Sequence, residues 1–144
     1  MIASNSPEKA SSLLRRFMVK ELMKFIRWIL RFVILFLEKV FSPTPIERSA
    51  EEQKKVDAAV AGLALYQYEA CPFCVKVRRS LKSSGVKIPL RDATKEPFRR
   101  ELLESGGKAQ APCLQIRKPD GTVQWLYESN DIIAYVQKLI VAAV

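Results

Sequence analysis

The chain has 144 residues, 49% hydrophobic and 27% charged, a composition for one globular domain with a real core and not for a disordered chain. It contains no histidine, which removes His-based acid–base catalysis, Ser–His and Cys–His triads and every imidazole metal site; three cysteines are too few for a secreted disulfide scaffold and fit a working thiol pair in a reducing compartment. The net charge of +9 is uneven, with nine Lys/Arg against four Asp/Glu in residues 1–50 and fifteen against eleven in residues 51–144.

Residues 1–12 are polar, with Ser4, Ser6, Pro7, Ser11 and Ser12, and are expected to form a flexible tail. Residues 13–41 lack proline and glycine and are dominated by apolar side chains. Their cations Arg16, Lys20, Lys24, Arg27 and Arg31 recur every three or four positions and form one stripe on a helix. A cleavable signal peptide is disfavoured, because the basic residues run into the apolar stretch and no small-residue cleavage pattern follows. A spanning helix needs about 20 predominantly apolar residues, whereas the longest uncharged run, Phe32 to Leu37, has six. Packing on a protein surface is a third alternative. The favoured reading is a membrane-associating helix lying in the interface, its basic stripe towards anionic headgroups and Trp28 and the phenylalanines in the acyl boundary. That reading keeps the remaining domain on the cytoplasmic side, whereas a spanning helix would place it on the far side by the positive-inside tendency.

Ser42-Pro43-Thr44-Pro45 stops the helix, and residues 42–60 are expected to be a linker or a short solvated helix. Residues 61–144 read as an alternating domain. Leu63–Tyr68 is a strand, and Pro72–Ser84 a helix with proline in its first turn and Gly85 at its end. Val86–Arg91 is a strand and Lys95–Ser105 a helix closed by Gly106-Gly107. Cys113–Arg117 and Thr122–Leu126 form a hairpin about Pro119-Asp120-Gly121. Ser129–Ala142 is a final helix with Ser129 as its N-cap. The predicted order is βαβαββα.

Chemistry concentrates at Cys71-Pro72-Phe73-Cys74. An isolated C-x-x-C fits a zinc half-site as well as a redox pair. A tetrahedral zinc site needs four ligands, and with three cysteines and no histidine it would need a carboxylate. A redox pair needs two thiols, the first at a helix N-terminus after a strand, and Cys71 has that placement. Thiolate is the nucleophile, and a helix N-terminus with Lys76, Arg78 and Arg79 in the following turns favours it. Cys74, one turn on, is placed to resolve a mixed disulfide. The bland alternative is two unreactive helical cysteines.

"CPFC" after a "YxY" strand, "QAPCL" some forty residues on and "LYESNDIIAYV" near the end together resemble the glutaredoxin family, in the branch similar to the N-terminal domain of glutathione S-transferases. The resemblance covers about residues 62–142. It implies an α/β, thioredoxin-like fold, a four-stranded mixed sheet with three flanking helices, and glutathione-dependent thiol–disulfide exchange with no metal. It further implies that Cys71 attacks, that Cys74 resolves, and that Tyr68, Phe73, Ala111, Pro112, Ser129, Asn130 and Asp131 hold glutathione. In this scheme Pro112 is a cis-proline that exposes the backbone of Ala111 to glutathione's cysteinyl residue, and the helix start at 129–131 takes the γ-glutamyl end. There are departures: Tyr68 stands where many glutaredoxins have lysine, Phe73 replaces a tyrosine, and Tyr127-Glu128 replaces a glycine pair. Cys113 reads as a buried strand cysteine, with a third redox thiol as the alternative.

The expected activity is thus that of a membrane-attached dithiol glutaredoxin. Its partners would be glutathione, disulfide-containing or glutathionylated proteins including membrane proteins, and an anionic lipid surface through residues 13–41, with no nucleic acid. A glutathione transferase would need a second, helical domain, so transferase activity is not expected. The alternatives are a non-catalytic iron–sulfur carrier using Cys71 from two chains, disfavoured by Pro72 and Cys74, and a docking module, disfavoured by the presence of both thiols.

Overall fold

The computed structural model describes residues 7–144. It falls into two compact units, Met1–Phe36 and Leu37–Val144.

Most of the first unit is helix α1, Pro7–Val40, whose last turn belongs to the second unit. The helix begins at Pro7 rather than Leu13, so residues 7–12 are helical and not part of a polar tail; residues 1–6 lie outside the described residues. Proline at the first helical position is compatible with this start, since its missing N–H has no partner there. Phe25, Trp28, Phe32 and Phe36 stack successively along one face, with ring centroids 6.2, 6.3 and 6.4 Å apart. All four are exposed, and no helix among the described residues is long and apolar enough to cross a membrane.

The second unit contains α2 (Ala50–Val60), β1 (Leu63–Gln67), α3 (Pro72–Ser83), β2 (Leu90–Asp92), α4 (Phe98–Glu104), β3 (Cys113–Arg117), β4 (Val123–Leu126) and α5 (Ser129–Ala143). The sheet order is β2-β1-β3-β4, with β1 parallel to β2 and antiparallel to β3, and β3 antiparallel to β4. This is the thioredoxin-like arrangement, with α2 added before it. Alternation along the central strands sends Leu63, Leu65, Leu114 and Ile116 into a core shared with α2, α3 and α5. Tyr66 and Cys113 enter a smaller core with Leu102 and Phe98 of α4.

Within residues 42–60, expected to be a linker or a short solvated helix, Ala50–Val60 form α2, which is packed on the core. Ser49 and Glu52 form a reciprocal capping box, the Glu52 N–H donating to Ser49 Oγ at 3.3 Å and the Ser49 N–H to Glu52 Oε2 at 3.2 Å. Val56 and Val60, one turn apart, are buried in the main core. Arg48 Nη1 donates to Ser84 O at 2.6 Å and Gln53 Nε2 to Gly85 O at 3.0 Å, so the segment satisfies carbonyls at the end of α3. Gly85 itself, at φ +63°, completes a Schellman turn in which the Val86 N–H donates to Leu81 O at 2.9 Å.

Two other elements are shorter than expected. Pro89 interrupts the predicted second strand: its carbonyl accepts from the Leu65 N–H at 2.9 Å, but it has no N–H of its own, and regular pairing starts at Leu90. The predicted helix from Lys95 begins at Phe98, because a residue before proline avoids the helical region and Pro97 follows Glu96.

If α2 belongs to the core, Val56→Ala should lower unfolding stability by about 1–3 kcal/mol. Urea denaturation of the full chain tests this; a midpoint equal to the parent's would return the segment to the status of a linker.

Candidate functional site

β1 delivers the chain through Tyr68-Glu69-Ala70 to the start of α3. Cys71 is the N-cap, at φ −79° and ψ 124°, with Pro72 behind it and no side-chain capping bond. The Sγ of Cys71 is therefore left over from the helix start, while its N–H donates to Tyr68 O at 3.2 Å and its carbonyl accepts from the Val75 N–H at 2.9 Å. Cys71 is half-buried, Cys74 is buried, and Phe73 between them is 62% exposed. All three cysteines are free thiols.

Cys74 Sγ accepts a hydrogen bond from the Tyr68 N–H at 3.4 Å. Burial pushes the Cys74 thiol up to about 12; a hydrogen bond with Cys71 and that group's charge act in the same direction, and the Tyr68 N–H and the Arg78 charge oppose them. Cys74 is thus held as a neutral thiol against its neighbour.

The β1–β3 pairing, with Tyr66 opposite Cys113, places the end of β1 and the start of β3 at the same end of the sheet. The loop carrying Cys71 and the residues just before β3 therefore meet there. The Ala111–Pro112 bond is cis, with Pro112 buried and Ala111 half-buried. The Tyr68 hydroxyl donates to Ala109 O at 3.1 Å and ties the two loops together.

The first turn of α5 joins from the side of α3. Lys76 Nζ donates to Asn130 Oδ1 at 2.6 Å. Ser129 is not the N-cap; Glu128 is, with extended φ and ψ and no side-chain capping bond, and Ser129 is the first helical residue. The backbone turns into the helix one residue early, which leaves the helix start without a side-chain acceptor. Ser129 is half-buried, and Asn130 and Asp131 are exposed.

The fold gathers Tyr68, Cys71, Cys74 and Asn130 about the start of α3, with Ala111 and Pro112 at the neighbouring end of the central strands. Cys113 points elsewhere. It is fully buried in the α4-side core, hydrogen-bonded to the Tyr127 hydroxyl and to the backbone at Leu126, while Cys74 packs with α3 on the other side. Burial pushes the Cys113 thiol up to about 11, the two hydrogen bonds acting against it. Among the described residues no group of three or more His, Cys, Asp or Glu is placed to hold a metal ion. Lys76 and Arg78, singled out in the sequence only as positive charge, make specific contacts at this site.

A profile of the glutathione S-transferase N-terminal domain matches residues 65–140. Prostaglandin E synthase 2 of Mus musculus is 28% identical over 117 residues, 81% of this chain and 27% of that protein, so the chain spans about a quarter of this relative's length. The crystal structure of oxidized glutaredoxin 2 from Chlamydomonas reinhardtii aligns with a TM-score of 0.41 and 23% identity, covering 65% of this chain and 94% of the other.

The buried Cys113 thiol makes stability depend on alkaline pH. Its folded pKa, about 11, lies above the ordinary thiol value of 9.0, so the folded state holds the proton more tightly than the unfolded chain. The contribution is complete below about pH 9 and is lost as pH rises through about 11. Denaturation at pH 7 and pH 10.5 should show Cys113→Ala less stable than the parent at pH 7 but with a smaller loss between the two. An equal loss in both chains would place Cys113 in water.

Proposed function

The chain belongs to the glutathione S-transferase N-terminal-domain family, and on that premise we propose that it is a glutathione-dependent thiol–disulfide oxidoreductase of the dithiol glutaredoxin type, attached to a membrane surface by α1. The observation that carries the reading is the pairing of a half-buried thiol at a proline-led helix start with a buried, neutral thiol one turn on.

Cys71 Sγ, as thiolate, attacks the glutathione sulfur of a protein–glutathione mixed disulfide. That S–S bond breaks as the Cys71–glutathione bond forms, and the substrate sulfur leaves as a thiolate and takes up a proton. A glutathione thiolate then attacks the bound glutathione, releasing glutathione disulfide and returning Cys71. On a protein disulfide, Cys74 loses its proton and attacks the Cys71 mixed disulfide, forming the Cys71–Cys74 bond and freeing the substrate's second thiol. The Tyr68 N–H, already directed at Cys74 Sγ, stabilises the charge that builds on that sulfur.

Glutathione fits along the edge between the two loops. The backbone of Ala111 offers strand-like pairing to its cysteinyl residue, and Phe73 supplies exposed apolar surface beside it. The start of α5, at Ser129, Asn130 and Asp131, takes the γ-glutamyl group: the helix N–H groups favour its carboxylate, and Asp131 its amine. Residues 13–41 supply the lipid contact. Their exposed aromatic ladder suits the acyl boundary and the stripe Arg16, Lys20, Lys24, Arg27 and Arg31 suits anionic headgroups. The catalytic domain would then work on the cytoplasmic side, where glutathione is available, on disulfides of proteins at that membrane.

Reduction of a small glutathione mixed disulfide, coupled to glutathione recycling, tests the chemistry. Cys71→Ser should abolish the activity, and Cys74→Ser should keep part of it, because glutathione can itself resolve the intermediate. An inactive but folded parent would overturn the reading. For the surface, sedimentation with vesicles should show the full chain bound to anionic vesicles and released as salt rises. Trp28→Ala with Phe32→Ala should weaken binding about tenfold or more by removing buried apolar area. Equal binding to neutral and anionic vesicles would contradict the role of the basic stripe.

A further inference from the structure

Arg78 lies two turns into α3, outside the set of residues that meet glutathione or the reacting sulfurs. Its side chain is 12% exposed. Nε donates to Glu38 Oε1 at 2.8 Å and Nη2 to Glu38 Oε2 at 2.5 Å, a fork-to-fork pair. Nη1 donates to Gln67 Oε1 at the end of β1 at 2.5 Å, and Nη2 to the carbonyl of Glu69 at 2.9 Å, in the loop two residues before Cys71. One guanidinium thus joins three segments: the last turn of α1, the end of β1 and the loop that presents the nucleophile. Its charge also reaches the thiol pair, where it favours ionisation of Cys74 against burial. Glu38 is the counter-charge, 23% exposed and forty residues away in sequence.

We propose that Arg78 is a positioning residue for the Cys71 loop that also sets the redox balance of the thiol pair, and that Glu38, at the end of α1, tempers it. The inference rests on the dithiol reading above. The balance concerned is that of reduced Cys71 and Cys74 plus glutathione disulfide against the Cys71–Cys74 disulfide plus two glutathione thiols. Two electrons pass from the protein sulfurs to glutathione disulfide; with Cys71 reacting as the thiolate, one released glutathione takes the Cys74 proton and the other takes a proton from solvent. Thiolate charge exists at the pair only in the reduced form. A nearby cation stabilises that form, and a carboxylate that neutralises the cation withdraws part of the effect. The partial burial of the Arg78–Glu38 pair limits screening by solvent.

The test is the equilibrium itself, in the full chain, across a series of glutathione to glutathione-disulfide ratios, read by acid quench, thiol alkylation and intact mass. Glu38→Gln keeps the shape and removes the charge, and should lower the equilibrium constant for disulfide formation roughly three- to tenfold. Arg78→Met should raise it by a similar factor, and Glu38→Gln added to Arg78→Met should bring it back towards the parent's, since the two charges act on the thiolate with opposite sign. If Arg78→Met does not fold, Arg78→Lys carries the comparison. Lysine keeps the charge but not the fork, so it should leave the equilibrium near the parent's while slowing reduction of a glutathione mixed disulfide. A Glu38→Gln equilibrium within twofold of the parent's, or an Arg78→Met equilibrium that does not rise, overturns the inference and leaves the dithiol reading standing. A parent that forms no Cys71–Cys74 disulfide at any ratio overturns both.

Discussion

The antiparallel pairing of β1 with β3 is the constraint on which the site depends. With Tyr66 opposite Cys113, the chain leaves β1 at the same end of the sheet where it enters β3. The loop to α3 and the Ala111–Pro112 corner are then neighbours whatever their own conformations. The alternation of the same two strands fixes which side each thiol serves. Leu65 and Leu114 face the α3 side, which leaves Tyr66 and Cys113 to the α4 side. A shift of one residue in this register would exchange those faces and break both cores together.

On that frame, α3 separates the two thiols by burial. Cys71 stands at the N-cap position and is half-buried; Cys74 is buried in the first turn with the Tyr68 N–H on its sulfur. Access therefore differs between two cysteines three positions apart, an asymmetry suited to an attacking and a resolving thiol. The polar groups around them form a continuous set. Lys76 links α3 to the start of α5, Tyr68 links the Cys71 loop to the loop before β3, and Arg78 links the same loop to Glu38. Two of these links start from α3 and the third from the loop that leads into it.

Much of this was legible in the sequence because local and tertiary preferences agree. LALYQY and CLQIR read as strands, Pro72 and Gly85 bracket α3 with residues suited to a helix start and a left-handed end, and the family resemblance supplied the cis bond before Pro112. The failures have particular causes. The charged run AEEQKKVDAAV looked solvated because only Val56 and Val60 point inward, yet Ser49 and Glu52 are spaced as a capping box and mark a defined helix start. Pro89 and Pro97 shorten a strand and a helix that hydrophobic patterning alone extended through them. The side served by Cys113 follows from the alternation of β3 once Leu114 and Ile116 are assigned to the main core. The contacts of Arg78 with Glu38, and of Lys76 with Asn130, join residues forty and fifty-four positions apart, and no local pattern announces them.

The central claim is that Cys71 is the sulfur that exchanges with glutathione. The most direct measurement is peptide mapping by mass spectrometry of the Cys74→Ser chain after brief exposure to glutathione disulfide under native conditions. The account predicts one glutathione per chain, on the peptide containing Cys71, with Cys113 unmodified until the protein is unfolded. Glutathione on Cys113 in the native chain, or a native Cys71 that stays unmodified while a free peptide thiol reacts, would contradict it.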